Sequence, residues 1–322
     1  MNPDSRMKRL KYSGILNLRH WLGNSEGMVL VLTLMILTLI TAMVVEFAYG
    51  VYTSTSALYN WRDSQRLSFV AKSGVVMAEK ILSDPQTPQS ESYKYLGREI
   101  PVPNIPEGFN GSFVIRAEDE NAGLNLNSIH RTWGDRTLKV YDSLQRLLRD
   151  LDLDETIADR VADWIDTDSE PRLRDSEEGA KNAFMESVDE LLLIQGIDQK
   201  AYEKLAPYVT VYGFDGPDSP LVNINTAPIP VIMSLDERIT REMAEALLNQ
   251  RVLEPFALPG QLEKIGFSNA MISSISDRFT VTFPRNFRIT SVAEENKIKR
   301  IIEGVVKVTR GGQGIILSWR ER

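Results

Sequence analysis

The chain of 322 residues contains no cysteine and two histidines, His20 and His130. The missing cysteine excludes disulfide frameworks, thiol nucleophiles and cysteine-bound zinc. The sequence also lacks a Gly-x-Ser-x-Gly elbow, a Walker loop and a His-Glu-x-x-His pair. Paired carboxylates are the only acid–base groups left, and no enzymatic activity is expected. Proline is absent from Met28 to Asp84. Positive charge is scarce beyond the amino terminus. Residues 1–27 hold five basic and two acidic residues, for a net charge of +3, whereas the remainder holds 32 basic and 42 acidic residues, for −10. An acidic body does not suit a phosphate backbone, which calls for clustered Lys and Arg, so no nucleic-acid partner is expected. The ordinary hydrophobic and charged shares, 43% and 25%, predict a packed globular body of one large or two medium domains.

Residues 28–45 read MVLVLTLMILTLITAMVV, a run without a charge. As a helix it rises about 27 Å, close to the hydrocarbon thickness of a bilayer. The basic leader places residues 1–27 in the cytoplasm and the acidic body outside it. With no proline before Asp84-Pro85, the helix is predicted to continue to that point, about 85 Å in all. Leu67, Val70, Ala71, Gly74, Val75, Ala78, Ile81 and Leu82 recur at helical spacing, so its outer half packs on a globular body. A secretory signal peptide fits less well, because its apolar stretch is shorter; an uncleaved signal anchor is the plain alternative. Gly27, preceded by a charged leader ending Ser25-Glu26, resembles the prepilin leader of type IV pilins and pseudopilins. That resemblance implies cleavage between Gly27 and Met28 by a prepilin peptidase, with N-methylation of Met28. Pilins carry a glutamate at the fifth mature position, and here Leu32 stands there.

Residues 85–111 read as a loop with one short strand around Tyr93–Leu96. Ser112–Ala117 is predicted to be a strand, followed by the acidic turn Glu118-Asp119-Glu120-Asn121 and the stretch Leu124-Asn125-Leu126-Asn127. Asp135–Leu151 is a helix with Leu138, Tyr141, Leu144 and Leu148 on one face. Asp154 caps a second helix carrying Ile157, Val161, Trp164 and Ile165. Ser187-Val188-Asp189-Glu190 is a capping box opening a helix to Gln195, and Gly196-Ile197 turns the chain into another helix ending near Tyr208. A second helix-hairpin-helix pattern follows about 70 residues later, at Leu262–Ile265, Gly266-Phe267 and Met271–Phe279. Between the two lies Val222-Asn223-Ile224-Asn225-Thr226-Ala227-Pro228, with Thr226 as a cap. Such hairpins bind DNA backbones when basic residues flank the glycine. Only Lys200 lies near Gly196 and only Lys264 near Gly266, which favours packing units. Phe287–Val292, Ile298–Val308 and Ile315–Trp319 alternate as strands, the last two joined by a turn at Arg310–Gln313.

The string Asp163-Trp164-Ile165-Asp166-Thr167-Asp168-Ser169-Glu170-Pro171, the segment Ala180-Lys181-Asn182-Ala183-Phe184, the Val222–Pro228 string and the absent glutamate at Leu32 together resemble the K-type minor pseudopilins of type II secretion systems. The resemblance implies an α+β, pilin-like fold: a long amino-terminal transmembrane helix packed on a small antiparallel sheet, with a large mostly α-helical insertion. It implies a leader over 1–27, the helix over 28–84, a first pilin-like part over 85–125, an inserted domain over 126–284 and carboxy-terminal strands over 285–322. It also implies a subunit of the inner membrane with its body in the periplasm, at the tip of a pseudopilus. The implied partners are the I, J and H types, the major pseudopilin, the prepilin peptidase and membrane lipid, with apolar faces between Met28 and Leu58 in contact. A type IV pilus tip subunit and an anchored DNA-uptake protein are the alternatives.

Asp163, Asp166, Asp168, Glu170, Asp175 and Glu177 crowd into one loop, opposed by Arg172 and Arg174. Several carboxylates in a loop suit calcium, a hard cation taking six to eight oxygens, although the spacing is not that of an EF-hand. The K-type resemblance implies calcium. The alternative is a solvated helix end, with Asp166 capping or bridging to Arg172.

Overall fold

The structure is a computed structural model and describes residues 25–102, 109–129 and 135–322. The chain divides into two units, Met1–Asp63 and Ser64–Arg322. One helix, α1, runs Ser25–Ser83, ending where Asp84-Pro85 was expected to stop it. Within the first unit its large apolar side chains from Met28 to Val45 are exposed. The window of mean hydropathy 2.8 there is long and apolar enough to cross a membrane. Thr33, Thr38 and Thr41 donate their hydroxyls back to carbonyls three or four residues earlier, so they carry no unpaired donor into hydrocarbon.

In the second unit the same helix becomes one-sided. Leu67, Val70, Ala71, Val75, Ala78 and Leu82 are buried against Ile115, Ala117, Phe287, Ile289, Ala293, Ile302 and Val306. After α1 come the short α2, Gln89–Ser92, and a 3-10 turn, Tyr93–Tyr95. The expected strand at Tyr93–Leu96 is therefore absent. Gly97 takes a left-handed φ of 71°, and only Leu96 and Glu99 bridge β1. Strand β1, Ser112–Asp119, pairs antiparallel with β6, Asn286–Glu295, which pairs with β7, Ile298–Lys307, and that with β8, Ile315–Glu321. The sheet order is β1-β6-β7-β8, so the strand at Ser112 joins the carboxy-terminal strands as expected. Helix and sheet meet at Gly74, where an added Cβ would strike Ser291 Oγ and come within 2.9 Å of Phe113 Cζ.

Everything from Glu120 to Arg285 lies between two adjacent strands of this sheet and has its own hydrophobic core. It is built twice on one plan. In the first copy β2, Leu124–Asn125, pairs in parallel with β3, Val209–Thr210. Between them lie α3, Asp135–Asp150, α4, Ile157–Ile165, the 3-10 helix Val188–Leu193 and α5, Gln199–Leu205. In the second copy β4, Val222–Asn223, pairs in parallel with β5, Phe279–Thr280. Between them lie α6, Ile229–Ser234, α7, Arg241–Leu253, the 3-10 helix Pro259–Ile265 and α8, Asn269–Ile275. Both copies use the same amide clamp. Asn127 donates to the carbonyls of Met185 and Val211 and accepts from Met185 N at 2.8 Å. Asn225 does the same to Phe256 and Val281, accepting from Phe256 N at 2.8 Å.

Four local expectations change. The leading helix of each hairpin is 3-10 rather than α, and Gly196 and Gly266, with φ of 90° and 97°, turn the chain into α5 and α8. Ser187 accepts from Asp189 N, but Glu190 does not return to Ser187. Lys181, at 3.0 Å, and Trp164 Nε1, at 3.3 Å, draw its carboxylate to Glu186 N instead. Thr226 does not cap; Pro228 precedes α6, and the Thr226 hydroxyl goes to Asp119. At the start of α4, Asp154 accepts from Thr156 N rather than from the helix's own amides.

Gly74→Ala should lower the unfolding free energy of the detergent-solubilised chain by about 1–3 kcal/mol, the usual cost of overpacking. Adding Ser291→Ala should recover part of that loss in urea titrations.

Candidate functional site

The acidic loop leaves the carboxy-terminal end of α4. Asp163, on the last turn, is fully buried. Its Oδ2 accepts from Arg172 N at 2.8 Å and from the Ser176 hydroxyl, and its Oδ1 lies 3.2 Å from Arg172 Nε. Asp163 thus ties the loop to its own helix. Asp166, the residue after α4, is 2% exposed, and neither of its oxygens has a hydrogen-bond partner. One carboxylate oxygen each from Asp166, Asp168 and Glu177 lie within 4.8 Å of one another. Calcium–oxygen distances of about 2.3–2.6 Å put opposed ligands about 5 Å apart, so the spacing fits a single hard cation. Burial, then the charges of Asp168, Asp163 and Glu177, push the Asp166 carboxyl up to about 6, with Arg172 acting against the rise. Glu177 is raised by burial and by Asp163 and Asp168, and its Oε1 is also buried without a partner.

Of the six expected ligands, three converge. Asp163 is turned to Arg172 and Ser176, while Glu170 and Asp175 are exposed, with Asp175 3.7 Å from Arg174. Asp166 is the C-cap of α4 through its backbone N–H, which donates to the Ala162 carbonyl, but its side chain does not bridge to Arg172, because Asp163 holds that arginine. The processing pair Gly27 and Met28, and Leu32, sit within α1 with Met28 and Leu32 exposed; residues 1–24 of the leader and His130 lie outside the described residues.

A second cluster carries more of the architecture, and reading the sequence as a turn missed it. Asp119, the last residue of β1, is buried. It accepts from Asn121 N at 2.8 Å, from Asn223 Nδ2 at 2.8 Å and from the Thr226 hydroxyl at 2.6 Å. Glu120 accepts from Thr210 Oγ1 at 2.6 Å and pairs with Arg288 Nε of β6 at 2.6 Å. Asn121 donates to the carbonyl of Tyr212, and Asn286 donates to that of Gly213. Asp119 thereby grips the second copy and Glu120 the first, both from the edge of the sheet. Burial pushes the Asp119 carboxyl up to about 7 against these three donors, and the Glu120 charge adds to the rise.

Comparison with known proteins places the two copies in one family. Models described as "Type II secretion system (T2SS), protein K" match residues 122–214 and 222–281, the spans of the first and second copies. A type II secretion system protein K of Pseudomonas aeruginosa is 31% identical over 189 residues, covering 52% of this chain and 53% of that protein, so the match spans about half the relative's length. One of Klebsiella pneumoniae is 25% identical over 297 residues, covering 80% of this chain and 87% of that protein. A chain in the crystal structure of the GspK-GspI-GspJ complex from the enterotoxigenic Escherichia coli type 2 secretion system superposes with a TM-score of 0.63. It shares 18% identity, over 83% of this chain and 99% of that chain, and so shares the fold.

Asp119→Ala should lower stability by about 2–4 kcal/mol, because the buried Asn223 Nδ2 loses its acceptor and the Thr226 hydroxyl keeps only the Asn223 carbonyl. Between the ordinary value of 3.8 and about 7 the folded protein holds the Asp119 proton more tightly than the unfolded chain does. This group's contribution to stability is therefore full at the acid end and lost as the pH rises through about 7. Asp119→Asn should remove that part of the slope in thermal melts compared at several pH values.

Proposed function

The chain belongs to the type II secretion system protein K family, and on that premise we propose that it acts as a minor pseudopilin, an anchored structural subunit rather than an enzyme. The observation that carries the reading is one helix used in two ways. From Met28 to Val45 it carries no charged side chain and its large apolar ones are exposed, and from Leu67 to Leu82 its inner face is buried against the sheet. A single helix thus carries both the apolar stretch and a face buried in the folded body, which suits a membrane-anchored subunit.

The leader is cut between Gly27 and Met28, and the mature helix stays in the inner membrane with its body in the periplasm. Leu32 supports a terminal position. A buried carboxylate in a bilayer needs a partner, and a subunit without it makes no such demand on a neighbour ahead of it. The bulk of residues 120–285 also favours a place at the tip, where nothing stacks above it. The fold shared with a chain of the GspK-GspI-GspJ complex supports I-type and J-type pseudopilins as the lateral partners, and with them a role in starting the pseudopilus that exports folded proteins.

Calcium is the cation proposed for the acidic loop. Asp166, Asp168 and Glu177 would hold it, and the unpartnered oxygens of Asp166 are the reason they fit. Bound there, the ion would supply positive charge to the crowded carboxylates, among which both oxygens of Asp166 and Oε1 of Glu177 have no hydrogen-bond partner, and so order the loop after α4.

The amino-terminal sequence of the membrane protein, made with and without an active prepilin peptidase, tests the class. A chain starting at Met28 only when the peptidase is present is the expected result; a retained leader in both would remove the pseudopilin reading. Co-expression with I-type and J-type subunits should give a complex that survives gel filtration. Calcium should raise the melting temperature of the wild type and leave that of Asp166→Asn unchanged.

A further inference from the structure

The acidic loop contains its own cation. Arg172 is placed from two sides. Its guanidinium carbon lies 5.5 Å from the centre of the Tyr141 ring, and the Tyr141 hydroxyl is fixed by donation to Asp159 Oδ1 at 2.7 Å. Its Nε lies 3.2 Å from Asp163 Oδ1. Arg172 also acts on Asp166, lowering its carboxyl against the raising effect of Asp168, Asp163 and Glu177. Arg174, the other arginine of the loop, is almost fully exposed.

The fourth carboxylate of the cluster is the one Arg172 holds. Asp163 is fully buried, and its Oδ2 is occupied by Arg172 N and the Ser176 hydroxyl. Its Oδ1 makes no hydrogen bond and has only the guanidinium beside it. Resting on the calcium reading above, we infer that Arg172 is the residue that sets the affinity of the Asp166–Asp168–Glu177 site, as a fixed counter-charge that repels the incoming cation and keeps Asp163 from adding its charge to the shell.

Two effects follow from removing that charge, and they have the same sign. A unit charge and a divalent ion several ångströms apart repel by a few kcal/mol at the effective dielectric of a protein surface, and a freed Asp163 adds one acidic charge to those that attract the ion. Ligand charge is one of the quantities by which calcium sites set their affinity.

The test is calorimetric titration of calcium chloride into the chelator-stripped full chain in detergent, for the wild type, Arg172→Gln and Arg172→Lys. Arg172→Gln should bind calcium roughly tenfold tighter or more, with a larger calcium-induced rise in melting temperature. Arg172→Lys, which keeps the charge, should stay within about twofold of the wild type. Where Arg172→Gln does not fold, Arg172→Met, which keeps an apolar stem on Tyr141, is read in its place. Affinity unchanged or weakened in the neutral variant, with calcium still bound by the wild type, overturns the role of Arg172 and leaves the calcium site standing. Heats absent from the wild type and from both variants at millimolar calcium overturn both. Equal tightening by lysine and glutamine would make the effect one of shape, not charge, and would also overturn the inference.

Discussion

Two hydrophobic cores in one compact unit need a joint, and here the joint is made of charge and amide hydrogen bonds. One core lies between α1 and the sheet and the other inside the insertion, and the four residues Asp119–Ala122 lead from one to the other. A carboxylate buried without partners is costly, so Asp119 and Glu120 hold their place only if the groups around them are held too. Asn223 and Thr226 from one copy, Thr210 from the other and Arg288 from β6 all meet that demand. The ion pair Asp189–Arg320 runs between the same two parts. An apolar joint would tolerate sliding. A joint of directional bonds at 2.6–2.8 Å fixes one orientation of the insertion on the sheet.

The long helix and the carboxy-terminal strands were legible in the sequence because each depends on periodicity within a short window, whereas the partnership of β1 with those strands followed from the pilin-like resemblance. The alternation in residues 287–292 and 298–308 and the stripe from Leu67 to Leu82 need no knowledge of distant residues. The failures share a cause. Glu190 and Thr226 have the right side chains for capping, but Lys181 and Trp164 compete for the first and Asp119 for the second, and win. The joint at Asp119 was invisible for the same reason, since its partners lie more than ninety residues onward in the chain. In the acidic loop the crowding of carboxylates was plain, but which three converge depends on Arg172 having already taken Asp163.

The insertion's two copies were glimpsed only as a repeat of the hairpin glycine some 70 residues apart. The structure extends the likeness to the strands and to the clamps of Asn127 and Asn225, whose side chains each bind one carbonyl in a loop and one just past a strand. An asparagine fits because a carboxamide both donates and accepts, so one residue closes the copy on itself at two points. The acidic loop belongs to the first copy alone, in the long passage between α4 and the 3-10 helix at Val188.

The pairing of β1 with β6 has a consequence in time. Asp119 sits opposite Phe287, so the sheet cannot close until everything between them has folded and brought its ends together, and contacts so distant along the chain form slowly. Strands β6 and β7, which with β1 bury Leu67 to Leu82, are synthesised only after the insertion. Until then the inner face of the helix is bare. The chain must therefore pass through a stage in which the anchor is set, the insertion is complete and the surface between them is still sticky, and that stage is where aggregation, or a chaperone, would act first.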